Sequence, residues 1–173
     1  MAIRGVEILT EDRYGVEFMK KLIDRLKNLK IIAKNIGIKC ERLVGKCYPK
    51  ASRQVKAILG LKKVQKLIML VDSEYENVQQ VESLVLEHVP SIYRDRVKVI
   101  VVDPKIEKWI CIGLGIRIMG DPVETLKDHL RKRTGNIRGY EKYMLPQFAN
   151  KIEISQLMQV PEFKMLLNAL RDP

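Results

Sequence analysis

Apolar positions fall into two kinds of run that alternate along the first two thirds of this chain. Residues 6–10 (Val-Glu-Ile-Leu-Thr) are short and rich in branched side chains, the signature of a strand. Residues 14–30 carry Phe18, Met19, Leu22, Ile23, Leu26 and Leu29 at three-and-four spacing, which makes one helical stripe. A second strand is expected over residues 36–44, ended by Gly45, and a helix over 52–61 with Ser52 as its N-cap. Residues 67–71 (Leu-Ile-Met-Leu-Val) are uninterruptedly apolar, and 97–102 are apolar but for Lys98, as strands covered on both faces are. Between them, residues 75–88 place Val78, Val81, Leu84, Val85 and His88 on one helical face. Pro104 stands where a fourth helix would start, carrying Ile106, Trp109 and Ile110.

Strand and helix thus alternate four times, which predicts an α/β fold with a central four-stranded, mostly parallel sheet flanked by helices. The remainder changes character. Residues 121–133 form an amphipathic helix with Pro122 in its first turn, broken at Thr134-Gly135-Asn136. Short helices are expected over 148–150, 155–159 and 161–170. No linker separates this part from the rest, so residues 1–173 are read as a single domain, with an α/β core over 1–116 and a helical C-terminal extension over 117–173.

Composition narrows the class. An apolar share of 46% among 173 residues supplies a core, and no apolar run is long enough to cross a membrane. No signal region opens the chain, and its three cysteines (Cys40, Cys47 and Cys111) read as buried thiols of a reducing, cytoplasmic compartment. With two histidines and no Cys-x-x-Cys clip, a structural zinc site is not expected. The formal charge of +11 favours polyanionic partners, nucleic acid first, although a lysine-rich solvated surface of the heat-adapted kind has the same composition. The bases concentrate in residues 40–66, with Lys46, Lys50 and Arg53 among them, and again at Arg131, Lys132, Arg133 and Arg138.

In an open parallel sheet, ligands bind beyond the carboxyl ends of the strands. Glu11 and Asp12 follow the first expected strand, Asp72-Ser73-Glu74 the third, and Asp103 and Glu107 the fourth. Carboxylates gathered there repel one another and raise each other's pKa, a penalty that a hard divalent cation, magnesium or manganese, removes. A plainer explanation competes. Asp72 and Asp103 each precede an expected helix, where an N-cap needs an acid. Glu11 resists that explanation, because Asp12 would cap as well. His88 and Trp109 are expected to pack in the core, and Gly113-Leu114-Gly115 lacks the pattern of a dinucleotide loop.

This layout resembles a TOPRIM domain, in which a glutamate follows the first of four parallel strands and an Asp-x-Asp pair follows the third. Glu11 matches the glutamate and Asp72-Ser73-Glu74 stands in place of the pair. More narrowly, the chain resembles small stand-alone TOPRIM-like proteins of prokaryotes, related to overcoming-lysogenization-defect type nucleases. Glu107-Lys108-Trp109 matches their Glu-x-Trp motif and Pro161-Glu162-Phe163 their Pro-x-Phe motif. It departs from the pattern at Asp12, Gly15 and Glu74.

The resemblance implies magnesium- or manganese-dependent phosphodiester chemistry, with a nuclease as the simplest activity. Asp72 and Glu74 would hold the ion and Glu107 would be a further ligand. Glu11 would be a ligand or the catalytic acid/base, and Lys46, Lys50 and Arg53 would hold the phosphate backbone of DNA or RNA. Two alternatives stay open. One is a nucleic-acid-binding protein with a degenerate site. The other is a subunit of a defence or toxin–antitoxin assembly, acting as a homo-oligomer or with a protein partner.

Overall fold

Each inner strand of the sheet sends alternate side chains into two separate hydrophobic layers, and this sets where everything else lies. The protein is described from a computed structural model, which covers residues 5–45, 49–62 and 64–173. Four strands, β1 (Gly5–Thr10), β2 (Gly37–Arg42), β3 (Lys66–Asp72) and β4 (Val97–Val102), form one all-parallel sheet in the order β2-β1-β3-β4. Ile8, Ile68 and Ile100 enter one layer, while Leu9, Met69 and Val99 enter the other. The expectation of a four-stranded α/β fold holds, and the sheet is parallel throughout.

Helix α1 (Arg13–Asn28) packs on the first layer through Phe18, Met19, Leu22 and Leu26, all buried. Asp12 starts it, its Oδ1 accepting the Gly15 amide at 2.8 Å. Leu29, expected on the same stripe, is exposed beyond the helix end. Helix α2 (Pro49–Lys56) continues into a π-helical turn, Ala57–Leu61, and covers the second layer with Val55, Ile58 and Leu59. Because α2 starts at Pro49, Ser52 lies inside it and does not cap it, contrary to the sequence expectation.

Helix α3 (Val78–Glu87) also starts away from its expected position, three residues later than residue 75. Glu74 and Tyr75 adopt left-handed backbone angles (φ 52° and 70°), incompatible with a right-handed helix, and Asn77 caps α3 instead. Leu84 faces outward, so the buried stripe is Val81 and Val85.

Helix α4 (Glu107–Gly113) returns to the first layer, where Trp109 is fully buried and meets Phe163 edge to face at 5.2 Å. The expected reading of Trp109 as a core anchor holds. The C-terminal segments build onto this same layer. They are α5 (Pro122–Thr134), a 3-10 stretch over Lys142–Asn150, α6 (Ile154–Leu157) and α7 (Pro161–Arg171). Their Leu126, Tyr140, Phe148, Leu166 and Leu170 belong to one cluster with Ile8 and Phe18, so core and extension share one interior. Arg25 of α1 fastens the two parts by donating from Nη1 to the Ala149 and Ile152 carbonyls at 2.9 and 2.6 Å. Cys40 and Cys111 are buried thiols as expected, whereas Cys47 lies outside the described residues. Among the described residues, no helix is long and apolar enough to cross a membrane.

Gly113 lies against the extension at close range. A methyl group placed on it would stand 2.5 Å from Cβ of Ile152, and its carbonyl accepts the Glu153 amide at 2.7 Å. Gly113→Ala should therefore lower stability by about 1–3 kcal/mol, an overpacking cost that outweighs alanine's helix preference. Urea unfolding is the check, with a reduced midpoint at unchanged slope expected and an unchanged or raised midpoint counting against this packing.

Candidate functional site

The strand order fixes where a site is to be sought. The chain leaves β1 for β2 on one side, then crosses to place β3 on the other, so the order reverses between β1 and β3. Crevices in open parallel sheets form at such a reversal, beyond the carboxyl ends. Glu11 follows β1 directly and Asp72 ends β3, one on each side of this crevice.

The two are joined. Strand β1 pairs with β3 only as far as Thr10 opposite Leu70, so beyond that point the Asp72 amide has no β1 carbonyl to meet. The Glu11 carboxylate takes that place, its Oε2 accepting the Asp72 N–H at 2.8 Å. Next along, the Ser73 hydroxyl donates to Asp103 Oδ1 at 2.6 Å, lacing the ends of β3 and β4 together. Asp103 therefore bonds Ser73, and Asp72 lies five residues before the Asn77 that caps α3. Neither acid is the helix cap that the plainer sequence reading had made of it.

Glu74 is brought round by the left-handed turn, in which its amide donates to the Pro104 carbonyl at 3.0 Å. Glu11, Asp12, Asp72, Glu74, Glu107 and Glu141 then line one cleft of about 610 Å³, together with Lys105, Lys127 and Lys142. The four carboxylates expected to act together (Glu11, Asp72, Glu74 and Glu107) thus do share a cleft. The expected phosphate-holding bases are placed differently. Lys50 and Arg53 are exposed on α2 and do not line the cleft, and Lys46 lies outside the described residues.

Glu107 is buried, only 1% exposed at the start of α4. Its Oε1 accepts the Tyr140 hydroxyl and the Lys142 ammonium, each at 2.9 Å. Its Oε2 is buried without a hydrogen-bond partner among the described residues. The Lys142 Nζ also approaches Asp12 Oδ2 at 3.8 Å. Burial alone would lower the Lys142 pKa, but Glu107, Asp72 and Asp12 outweigh it and hold the ammonium above its ordinary value. Burial likewise raises the Tyr140 hydroxyl, reinforced by Glu107, so it remains a donor.

Asp72 is pushed up to about 8 by burial, with Glu11 and Glu107 adding repulsion against the opposing pull of Lys142. The sequence reading missed Lys142 and Tyr140. They lie more than thirty residues beyond Glu107, and their only signal was a lysine inside the largely apolar stretch 140–149.

Among the described residues, no group of three or more histidine, cysteine, aspartate or glutamate side chains is gathered to hold a metal ion. The donor chemistry still suits a hard cation, being carboxylate oxygens throughout, with one buried oxygen of Glu107 lacking a partner among the described residues. A bound divalent cation would be held by Asp72 and Glu74, with Glu11 and Glu107 beside them. In comparisons with protein-family models and with curated proteins, the chain matches none.

A raised carboxylate pKa has a stability consequence whose sign is fixed. The folded Asp72 holds its proton up to about pH 8, whereas in the unfolded chain it releases it near 3.8. Its contribution to stability is fully present below pH 3.8 and is lost as the pH rises towards 8. In metal-free buffer, Asp72→Asn should become more stable than the parent by more than about 1 kcal/mol between pH 4 and pH 8. Denaturant titrations at a series of pH values check this, and parallel curves for the two proteins would contradict it.

Proposed function

We propose that this protein is a divalent-metal-dependent phosphodiester hydrolase acting on nucleic acid, with the cleft between β1 and β3 as its active site. The observation that carries the reading is the gathering of Glu11, Asp72, Glu74 and Glu107 in one cleft at the switch point of a parallel sheet. The TOPRIM resemblance supports the same residues in the same roles.

Charge adds an independent argument. The cleft lining holds six acids and three lysines, an acidic depression on a chain of net charge +11. A phosphodiester is repelled by such a lining until a cation reverses it, while the net positive charge of the chain attracts the polyanion. Magnesium or manganese would supply Lewis acidity on a phosphoryl oxygen and a more acidic water.

The chain's own groups do the rest. The Asp72 amide holds the Glu11 carboxylate in place. There it takes the proton of an attacking water whose oxygen bonds to phosphorus. The ester P–O bond breaks, its electron pair stays on the departing sugar oxygen, and that oxygen takes up a proton from solvent water while Glu11 returns its own to the solvent. Lys105 and Lys127, at the cleft wall, bind non-bridging phosphate oxygens without reading sequence.

A second reading has its own support. Lys142 already neutralises Glu107, and no three acids are gathered for an ion among the described residues, which suits a nucleic-acid-binding protein with a silent site. Incubating labelled DNA and RNA with the protein and magnesium separates the two. Hydrolysis is expected, together with at least a hundredfold loss in Glu11→Gln and Asp72→Asn, as removal of a group acting on the transition state costs roughly 10²–10⁴-fold. Salt-sensitive binding without cleavage would favour the second reading, and cleavage unaffected by both substitutions would place the active site elsewhere.

A further inference from the structure

Glu107 is held from one side only. Tyr140 and Lys142 both donate to its Oε1, and Oε2 is buried with no partner among the described residues, although the residue lines the acidic cleft. A buried carboxylate left half satisfied in this way is costly, and one that lines a cleft with five further acids is suited to a cation. The ammonium already present stands 2.9 Å from Glu107 and 3.8 Å from Asp12, two acids that both line the cleft. Two-metal phosphodiester sites use paired ions roughly 3.5–4 Å apart, bridged by carboxylates. Here a singly charged group of the protein occupies one such place. A second dication between Asp12 and Glu107 would have to displace it or bear its repulsion at contact distance.

We propose that Lys142 is a built-in cation of the cleft, so that the site would take a single divalent ion, with Glu107 neutralised in part by the ammonium. This inference rests on the metal-dependent reading given above and deepens it. Lys142 belongs to the 3-10 stretch of the extension, whose Leu145 and Phe148 pack in the layer shared with α1. The cation is therefore positioned by the core and not by a mobile surface side chain. Lys105 and Lys127 also line the cleft, but neither is bonded to Glu107: Lys127 pairs with Glu124 at 2.8 Å and Lys105 with Asp121 at 3.5 Å.

The test counts ions directly, without reference to activity. Manganese is titrated into the full chain and the free ion is followed by its electron paramagnetic resonance signal. One manganese per chain is expected for the parent protein and for Lys142→Arg, which keeps the charge. Lys142→Gln keeps a donor for Glu107 but removes the charge, and should bind two. Two ions in the parent protein, or one ion in Lys142→Gln at unchanged affinity, would overturn the built-in cation while leaving the metal-dependent reading standing. No ion in either protein would overturn that underlying reading instead. Should Lys142→Gln fail to fold, as judged by circular dichroism, the count on the parent protein still decides, because two ions there refute the proposal unaided.

Discussion

The hydrogen bond from the Asp72 amide to the Glu11 carboxylate organises the carboxyl edge of the sheet. It forms where the β1–β3 ladder runs out, so a side chain completes what backbone pairing leaves undone. A buried amide without a partner costs about 1–3 kcal/mol, and a charged acceptor makes the stronger kind of bond. The contact therefore holds the strand ends together and at the same time fixes a carboxylate at the switch point. Everything acidic in the cleft is arranged from there. Asp12 turns into α1, Ser73 ties β3 to β4 through Asp103, and Glu74 is swung round by a left-handed turn.

Crowding of like charge in this corner needs relief, and the extension provides part of it. Glu107 would be a costly buried anion by itself. Paired with Lys142 and bonded to Tyr140 it is tolerable, and removing one partner of such a pair typically costs about 3–5 kcal/mol. Asp72 relieves its own repulsion by holding a proton to about pH 8. These are two physically different answers to one problem, and both leave charge that a further cation can meet. Residues 117–173 are thus more than a cover for the sheet's apolar face, since they carry the only ammonium bonded to Glu107 among the described residues.

Strand β3 was the most legible, because burial on both faces leaves a continuous apolar run over Leu67–Val71 that needs no knowledge of neighbours. The acids after the strands were legible because parallel topology puts every carboxyl end on one edge. Helix starts were less so. A helix periodicity running back to Tyr75 is overridden by two left-handed residues, and Ser52 looks like a cap only while the start at Pro49 is unknown. The 3-10 stretch over Lys142–Asn150 was read beforehand only at its end, residues 148–150, because Pro146 interrupts it and its packing onto α1 joins residues more than a hundred positions apart. Lys142 and Tyr140 were invisible for the same reason, since their meaning depends on a tertiary contact that no spacing announces.

Placement of charge over the whole molecule has a functional logic under the proposed reading. Lys50 and Arg53 lie exposed on α2, and Arg131, Lys132 and Arg133 are exposed at the last turn of α5, a helix whose Lys127 reaches the cleft wall. Exposed bases of this kind act over about a Debye length, ~8–10 Å at ordinary salt, and so gather a polyanion without fixing it. The cleft works at shorter range and with opposite sign. A polyanion drawn to the surface meets an acidic depression that admits a phosphate only when a cation is there to receive it. Such a division makes entry to the site conditional on the ion, whereas a cleft lined by lysines alone would bind phosphate with or without one.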